Sequence, residues 1–441
     1  MHLSGKESKK DEINIFWFRR DLRLFDNHGL FKALQSGKPV LPVFVFDKEI
    51  LKTLEDPADK RVNFIYNTLK ELNEELKKQH STMVILYDTP LAAFQELSEK
   101  FNISEVFTNH DYEPYAIKRD TTVKDYLSKK GINFRSFKDQ VIWEKEEVTK
   151  PDGTPYKIFT PYSKQWKYNY KKAEAQHFPS EDHLASMYEA DFPFTELSKM
   201  GFQEVNLEVP ALNTSEGIIS KYAETRNLPA IQGTSYAGIY LRFGTVSVRQ
   251  LVKMASEVSE TWLNELIWRE FFMMILYHFP EVEHSNFKKK YDKIQWRNNE
   301  QEFELWCKGE TGYPMVDAGM RQLIKTGWMH NRVRMVVAGF LTKHLLIDWR
   351  WGEAYFAQKL LDYELASNNG NWQWAAGTGC DAAPYFRIFN PSEQLKKFDP
   401  ELKYVKKWIP NFTADYLLPV VEHKFARQRA LETYKTALQE L

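Results

Sequence analysis

Between residues 13 and 139, five short apolar runs alternate with stretches of helical spacing, and after residue 207 no such run returns. INIFWF (13–18), PVLPVFVFD (39–47), TMVILYD (82–88), EVFTNH (105–110) and INFRSFKD (132–139) have the length and the aromatic and β-branched content of strands. Between them, segments such as RVNFIYNTLKELNEELKKQ (61–79) put Phe64, Leu69, Leu72 and Leu76 on or near one helical face. Strands that alternate with helices close by right-handed crossovers, which predicts a doubly wound, mostly parallel sheet. From 207 onward helical patterns follow one another, over 214–225, 236–242, 261–279, 315–327, 331–346 and 353–365, which predicts an all-α domain. No period of repetition is visible, so the helices are not a solenoid. A chain of 441 residues exceeds what one core usually holds, and the expected division is an α/β domain over 1–139, a long connection over 140–206 and a helical domain over 207–441.

Ligands of doubly wound sheets sit beyond the carboxyl ends of the strands. The first such end carries RRDLRLFDN (19–27), with neither a GxGxxG nor a Walker loop, so the usual dinucleotide and ATP fingerprints are absent. The chain carries 60 basic and 60 acidic side chains, so nucleic-acid binding has to come from local clustering and not from a global field. In the connection, Lys164, Lys167, Lys171 and Lys172 are interleaved with Trp166 and Tyr168, which fits either phosphate contacts or a solvated face. Cys307 and Cys380 form no CxxC pair and cannot build a disulfide framework or, alone, a zinc site, which points to a reducing cytosol and no metal. The start, MHLSGKESKKDE, has no apolar core and reads as a tail, not a signal peptide. No apolar run is long enough to span a bilayer, so no membrane partner is expected.

Four stretches of the helical half carry chemistry. Residues 365–391, LASNNGNWQWAAGTGCDAAPYFRIFNP, set Trp372 and Trp374 among small residues and glycines, with Asn368 and Asn369 before them and Arg387 after. Small residues admit a flat ligand and tryptophans give it a face, although a Gly-broken connection with core tryptophans fits the same pattern. In GTSYAGIYLRFG (233–244), Thr234 and Ser235 precede a helical run, as in a phosphate site or a plain helix cap. On TWLNELIWREFF (261–272), Trp262, Glu265, Trp268, Arg269 and Phe272 recur at spacings of three and four. That face suits a nucleobase-lined pocket, or else an exposed Glu265–Arg269 pair beside buried tryptophans. In GWMHNRVRMVVAGF (327–340), Trp328 and His330 lead into a helix where Asn331 and Met335 share a face and Arg334 turns to another, within reach of Asp362 or Glu364. His330 has no second ligand at metal spacing. Trp296, Trp349 and Trp372 lie in separate segments; if they pack in a line they can pass an electron by hopping, since tryptophan oxidises readily.

Together with WFRRDLRLFDN, KGETGYPMVDAGMRQL, LLIDWRWGEAYFAQKLLD and VVEHKFARQRALETY, these motifs resemble the cryptochrome/photolyase family over nearly the whole chain, most of all class I cyclobutane pyrimidine dimer photolyases. The resemblance implies an amino-terminal α/β domain for a light-harvesting chromophore, a helical domain holding U-shaped FAD, and UV-damaged DNA as partner, its lesion flipped out of the duplex. Excited reduced flavin would donate an electron to the dimer, the cyclobutane ring would split and the electron would return. Carried onto this sequence, the FAD contacts would be Tyr222, Thr234, Ser235, Trp262, Arg269, Trp328, Arg334, Asp362, Glu364 and Asn368, with Asn368 facing flavin N5. Gly238 and Ile239 stand where the family usually has Ser and frequently Pro, so one phosphate-loop hydroxyl is missing. Photoreduction would run through Trp372, Trp349 and Trp296. Glu265 would bond the dimer's base edge, Trp268 and Trp374 would pack on it, Asn331 and Met335 would line the pocket, and Arg226, Arg332 and Arg387 would hold flanking phosphates.

Asn331 and Met335 stand where (6-4) photolyases and animal cryptochromes have histidines, and together with Glu265 and Trp374 they favour the cyclobutane-dimer enzyme. Tyr115 and Ala116 replace the Asn-Glu of folate-binding relatives, which counts against a folate antenna and leaves a deazaflavin, a flavin or an empty site open. The expectation is thus a light-driven, monomeric, cytoplasmic DNA-repair lyase. A blue-light photoreceptor with FAD and a tryptophan chain but no repair, and a helical flavin redox protein without affinity for irradiated DNA, are the competing readings.

Overall fold

The computed structural model describes residues 11–173, 176–413 and 415–439, so residues 1–10 of the expected amino-terminal tail lie outside the description. Two compact units emerge. One gathers the described residues up to Glu144 together with Asn169–Glu208 and Gly238–Met254; the other gathers Lys145–Tyr168, Val209–Ala237 and the described residues from Ala255 onward. Gly238–Met254, expected in the helical domain, packs with the sheet, and Lys145–Tyr168, expected in the connection, packs with the helices. The physical reason for the first is Arg249, whose guanidinium bonds Asp26 and Asp139 inside the sheet unit.

The sheet unit has five parallel strands, β1 (Glu12–Phe18), β2 (Val40–Asp47), β3 (Val84–Asp88), β4 (Asn102–Asn109) and β5 (Asn133–Phe137), in the order β3-β2-β1-β4-β5. The five expected strands are all present, with ends shifted by at most three residues. β1 and β2 are buried on both faces, as inner strands covered by helices must be, whereas β5 at the edge is mostly exposed. Asn14 is the polar exception in β1: its amide donates to Ser36 Oγ at 2.6 Å and its Oδ1 accepts from the Glu105 N–H at 3.0 Å. That side-chain bond falls where the β1–β4 register shifts, taking the place of a ladder bond. Helix α1 (Lys60–Lys77) buries Val62, Tyr66, Leu69, Leu72 and Leu76 and is capped by Asp59, whose side chain accepts from the Arg61 and Val62 N–H groups. RRDLRLFDN is mainly a buried hub: Arg23 pairs with Asp139 at 2.7 Å and Asn109 donates to both Asp21 and Asn27.

The helical unit contains no strand among the described residues. Helix α2 (Phe159–Lys172) crosses what was expected as a surface connection; Trp166, one of its aromatics, is fully buried and donates to Glu270, and Lys167 pairs with Glu260 at 2.6 Å. Helix α3 (Glu260–His278) starts on the Ser259 cap and is buried around most of its circumference. Helix α4 (Asn331–Gly339) runs on into a π-helical turn, Phe340–His344, all of whose residues are buried. Helix α5 (Trp349–Lys359) is capped by Asp348. Residues 365–376 of the Gly-rich stretch are no loop: they form helix α6 (Leu365–Ala376), which stops at Gly377 with φ of 85°. The expected helix over 214–225 breaks into two single turns, Glu216–Ile219 and Tyr222–Thr225.

Candidate active site

Helices α4, α5 and α6 line a cavity that is partly open to solvent, with about 630 Å³ of empty space, open solvent included. α6 presents Asn368, Trp372 and Trp374, α4 presents Asn331, Arg334 and Met335, and the α5–α6 connection adds Asp362 and Glu364. Eight residues picked out by sequence therefore meet on one surface. Arg334 was expected to face away from Asn331 and Met335, yet it lines the same cavity. Its long stem lets the guanidinium turn to Asp362 at 2.8 Å while Nε bonds the Met329 carbonyl at 2.7 Å.

Arg269 reaches Glu364 at 3.2 Å, and Ser367 also donates to that carboxylate. Glu265 does not pair with Arg269 along the helix; it pairs with Arg226 at 2.5 Å. Burial, only partly offset by Arg226, holds the Glu265 carboxyl above the ordinary range. Trp262 donates from its indole N–H to Ser235 Oγ at 3.2 Å, and Tyr236 packs against Trp328 with ring centroids 4.7 Å apart, so both segments read as phosphate and aromatic contacts come together. Beside Thr234, the Tyr236 hydroxyl donates to Gln232 Oε1 at 3.1 Å, and Tyr222 lies under the Arg226 guanidinium at 5.3 Å. Arg332 bonds Asn227 Oδ1 at 2.7 Å and has Arg226 and Arg387 as charged neighbours.

The two asparagines of the pair have separate employment. Asn369 donates to the Val282 carbonyl and is structural. Asn368 donates from Nδ2 to Glu353, to Oε1 at 3.0 Å and to its carbonyl at 3.1 Å, which leaves the amide oxygen as the polar atom Asn368 offers the cavity. Sequence reasoning missed Glu353. It also missed Phe159, which stacks on Trp268 with centroids 3.7 Å apart and planes 4° from parallel, and so fixes that indole from a helix a hundred residues upstream. Trp268 does not line the cavity described above; it packs among Phe159, Phe271 and Phe272. Gly370 of α6 makes room for Phe272 of α3, since a Cβ there would lie 2.2 Å from the Phe272 ring.

Trp349 and Trp372 belong to one buried apolar cluster, and half-buried Trp296 packs against it. Trp349 donates to Asn286 Oδ1 at 2.9 Å, and Trp296 meets Tyr434 edge to face at 6.0 Å. Among the described residues no group of three or more His, Cys, Asp or Glu side chains is placed to hold a metal ion, and no helix is long and apolar enough to cross a membrane.

Residues 262–414 match the family model described as the FAD binding domain of DNA photolyase, and residues 14–181 match that of DNA photolyase. A deoxyribodipyrimidine photo-lyase of Vibrio cholerae is 35% identical, over 96% of this chain and 100% of the relative. The chain belongs to the DNA photolyase family. Another photo-lyase, from Synechococcus, is 36% identical over 90% of this photolyase-family chain and 87% of its own length. Among solved structures, a bacterial class III photolyase from Agrobacterium tumefaciens superposes with a TM-score of 0.85 at 32% identity, covering 98% of this chain and 99% of that one. An archaeal photolyase from Sulfolobus tokodaii, solved with two FAD molecules, gives 0.81 at 33% identity, covering 96% and 100%. The FAD-binding domain of this photolyase-family chain includes every helix of the cavity. The residues present fit the cofactor in their chemistry: an aromatic wall from Trp372 and Phe356, the Arg334–Asp362 pair and an amide oxygen line one cavity.

Proposed function

We propose that the protein splits cyclobutane pyrimidine dimers in DNA by light-driven electron transfer. The observation that carries this reading is the lining of that cavity, where Asn331, Met335 and Trp374 adjoin Asn368 and the Arg334–Asp362 pair. A protein that only sensed light would need the second group but not the first. Tyr222, Thr234, Ser235, Trp262, Arg269, Trp328, Arg334, Asp362, Glu364 and Asn368 would hold FAD. Bound there in its reduced form and excited by light, the cofactor would supply the electron that opens the cyclobutane ring and take it back afterwards.

The other steps fall to side chains. Trp374 and Met335 give the dimer an apolar seat, and Trp268, held flat by Phe159, offers a second aromatic surface. Glu265, raised by burial, bonds the base edge, and Arg226 fixes its orientation. Arg332 and Arg387 take flanking phosphates. Trp296, Trp349 and Trp372 relay an electron from the half-buried end of their cluster toward the cavity. In the sheet unit a second cavity, with about 810 Å³ of empty space at the carboxyl ends of β1 and β2, is walled by Trp17, Phe46, Tyr115 and Arg119. Asp47, Asp111 and Glu113 line it as well, and a second, antenna chromophore would sit there.

The test is repair of a defined thymine-dimer oligonucleotide by the purified, chemically reduced protein, in blue light and in darkness. Light-dependent return of intact thymines is expected. Bound, photoreducible FAD with no repair would move the assignment to a photoreceptor or another lesion. Trp349→Phe is expected to block photoreduction of oxidised enzyme and spare repair by reduced enzyme; equal loss of both would remove the relay from the mechanism.

A further inference from the structure

Phe398, the last residue of helix α7 (Pro391–Phe398), carries two cations from different elements. The Arg332 guanidinium of α4 lies 4.4 Å from its ring centroid and the Lys397 ammonium 5.3 Å. An aromatic face steadies a cation without neutralising it. Burial and the charges of Arg226 and Arg387 hold the Arg332 guanidinium below its ordinary range, so those two arginines are close neighbours of it. Of these four cations, Arg226 alone has a carboxylate partner among the described residues, Glu265. The positive charge beside the cavity is therefore not a closed set of arginines; it continues past Arg332 onto α7.

The next helix extends the pattern. Buried Asp399 accepts the Tyr404 and Val405 N–H groups and so ties the start of helix α8 (Lys403–Trp408) to the end of α7. Tyr404 and Val405 are buried, which at helical spacing leaves Lys403, Lys406 and Lys407 on one outward face. The exposed acids of this surface are committed: Glu393 pairs with Lys396 at 2.9 Å and Glu401 with Lys403 at 2.6 Å. Lys397, Lys406 and Lys407 are exposed and have no ion pair among the described residues. Exposed lysines ordinarily make a solvated face. Here three of the five on α7 and α8 lack an acidic partner, in a chain with 60 side chains of each sign, and the first of them shares its aromatic seat with Arg332. What fits such a surface is a polyanion whose charges recur along a line, and the duplex that would bring a lesion to the cavity is one, with a phosphate every 3.4 Å or so of each strand, about the spacing of its bases.

We propose that the surface bearing Lys397, Lys406 and Lys407 is a second DNA contact, which holds phosphates of the duplex beyond those that flank the lesion and reads neither sequence nor damage. The inference rests on the reading of the cavity given above.

The test changes Lys397, Lys406 and Lys407 together to Gln, and in a second variant to Arg, in the full-length holoprotein. Affinity is measured at several salt concentrations for a single-stranded tetranucleotide with a central thymine dimer, a dimer-containing duplex of about two helical turns, and the same duplex undamaged. For the Gln variant the slope of log affinity against log salt on both duplexes is expected to flatten by about 0.9 for each lysine that meets a phosphate. Both duplex affinities should fall by the same factor, while tetranucleotide affinity and repair at saturating duplex stay at the wild-type level. The Arg variant should keep the wild-type slope. An unchanged slope in the Gln variant would overturn the proposal, and so would an equal loss on the tetranucleotide, which would place the lysines at the lesion itself. Equal flattening after Lys78, Lys129 and Lys130 of the sheet unit, also exposed, are changed to Gln would reduce the effect to net charge and overturn it too. A wild-type protein that binds neither damaged substrate would instead overturn the reading of the cavity, and this proposal with it. Should the Gln variant not fold, acetylation of the wild-type protein decides: the duplex, and not the tetranucleotide, must protect these three amines, and equal labelling with and without duplex sinks the idea.

Discussion

Asn368 was legible in the sequence as a polar residue beside two tryptophans; what makes it one-sided was not. Glu353 holds its amide hydrogens from the neighbouring helix, fifteen positions earlier, and nothing in the spacing of either segment announces the contact. Burial, reinforced by Glu283 and opposed by the Asn368 bond, pushes the Glu353 carboxyl up to about 7 from an ordinary 4.5. The folded protein then keeps a proton that the unfolded chain gives up between those values. Stability from this group is full below pH 4.5, falls as pH rises by up to about 1.4 kcal/mol per unit, and levels off above 7. Glu353→Gln keeps an oxygen for Asn368 and cannot titrate. Urea melts at several pH values are expected to show a flatter profile for the variant between 4.5 and 7 and higher stability at pH 8 than wild type. A profile parallel to wild type would mean that another group titrates.

At the scale of elements, periodicity exposed the sheet well, because a strand buried on both faces must be apolar along its length. It did less well on α6, whose Gly, Ser and Asn residues read as a loop. There tertiary packing overrides weak helix propensity, since small residues are what let α6 lie close to α3 and α5. Gly352 in α5 makes the same kind of room: an added Cβ would sit 2.2 Å from Trp372 Cη2 and 2.5 Å from Leu341 Cδ2. Helix propensity alone favours alanine there by up to about 1 kcal/mol. Overpacking costs about 1–3 kcal/mol, so the clash is expected to win and Gly352→Ala to lower the urea midpoint. Because the displaced ring is Trp372, photoreduction of the bound flavin should slow while FAD is retained. A midpoint at or above wild type would show that the indole can retreat, and photoreduction would then be the more informative reading.

At the scale of the whole molecule, 60 basic against 60 acidic side chains leave no field to draw DNA in, so affinity has to be built locally. The sequence could name Arg226, Arg332 and Arg387 but not their partners, and the partners decide what each is worth. Arg226 is neutralised by Glu265, the Arg332 guanidinium bonds the uncharged side chain of Asn227 and stacks over Phe398 at 4.4 Å, and Arg387 is exposed. Each phosphate neutralised by a free cation steepens the fall of log affinity with log salt by about 0.9. Removing Arg387 should therefore flatten the salt dependence of damaged-DNA binding by about 0.9. Glu265→Gln should do the opposite: it releases Arg226 as a third free cation and steepens the slope by about 0.9, even as loss of the carboxyl weakens recognition of the dimer. A titration of the wild-type and two variant proteins against a thymine-dimer duplex at four salt concentrations reads both slopes. If Glu265→Gln leaves the slope unchanged, Arg226 meets no phosphate and serves only to orient Glu265.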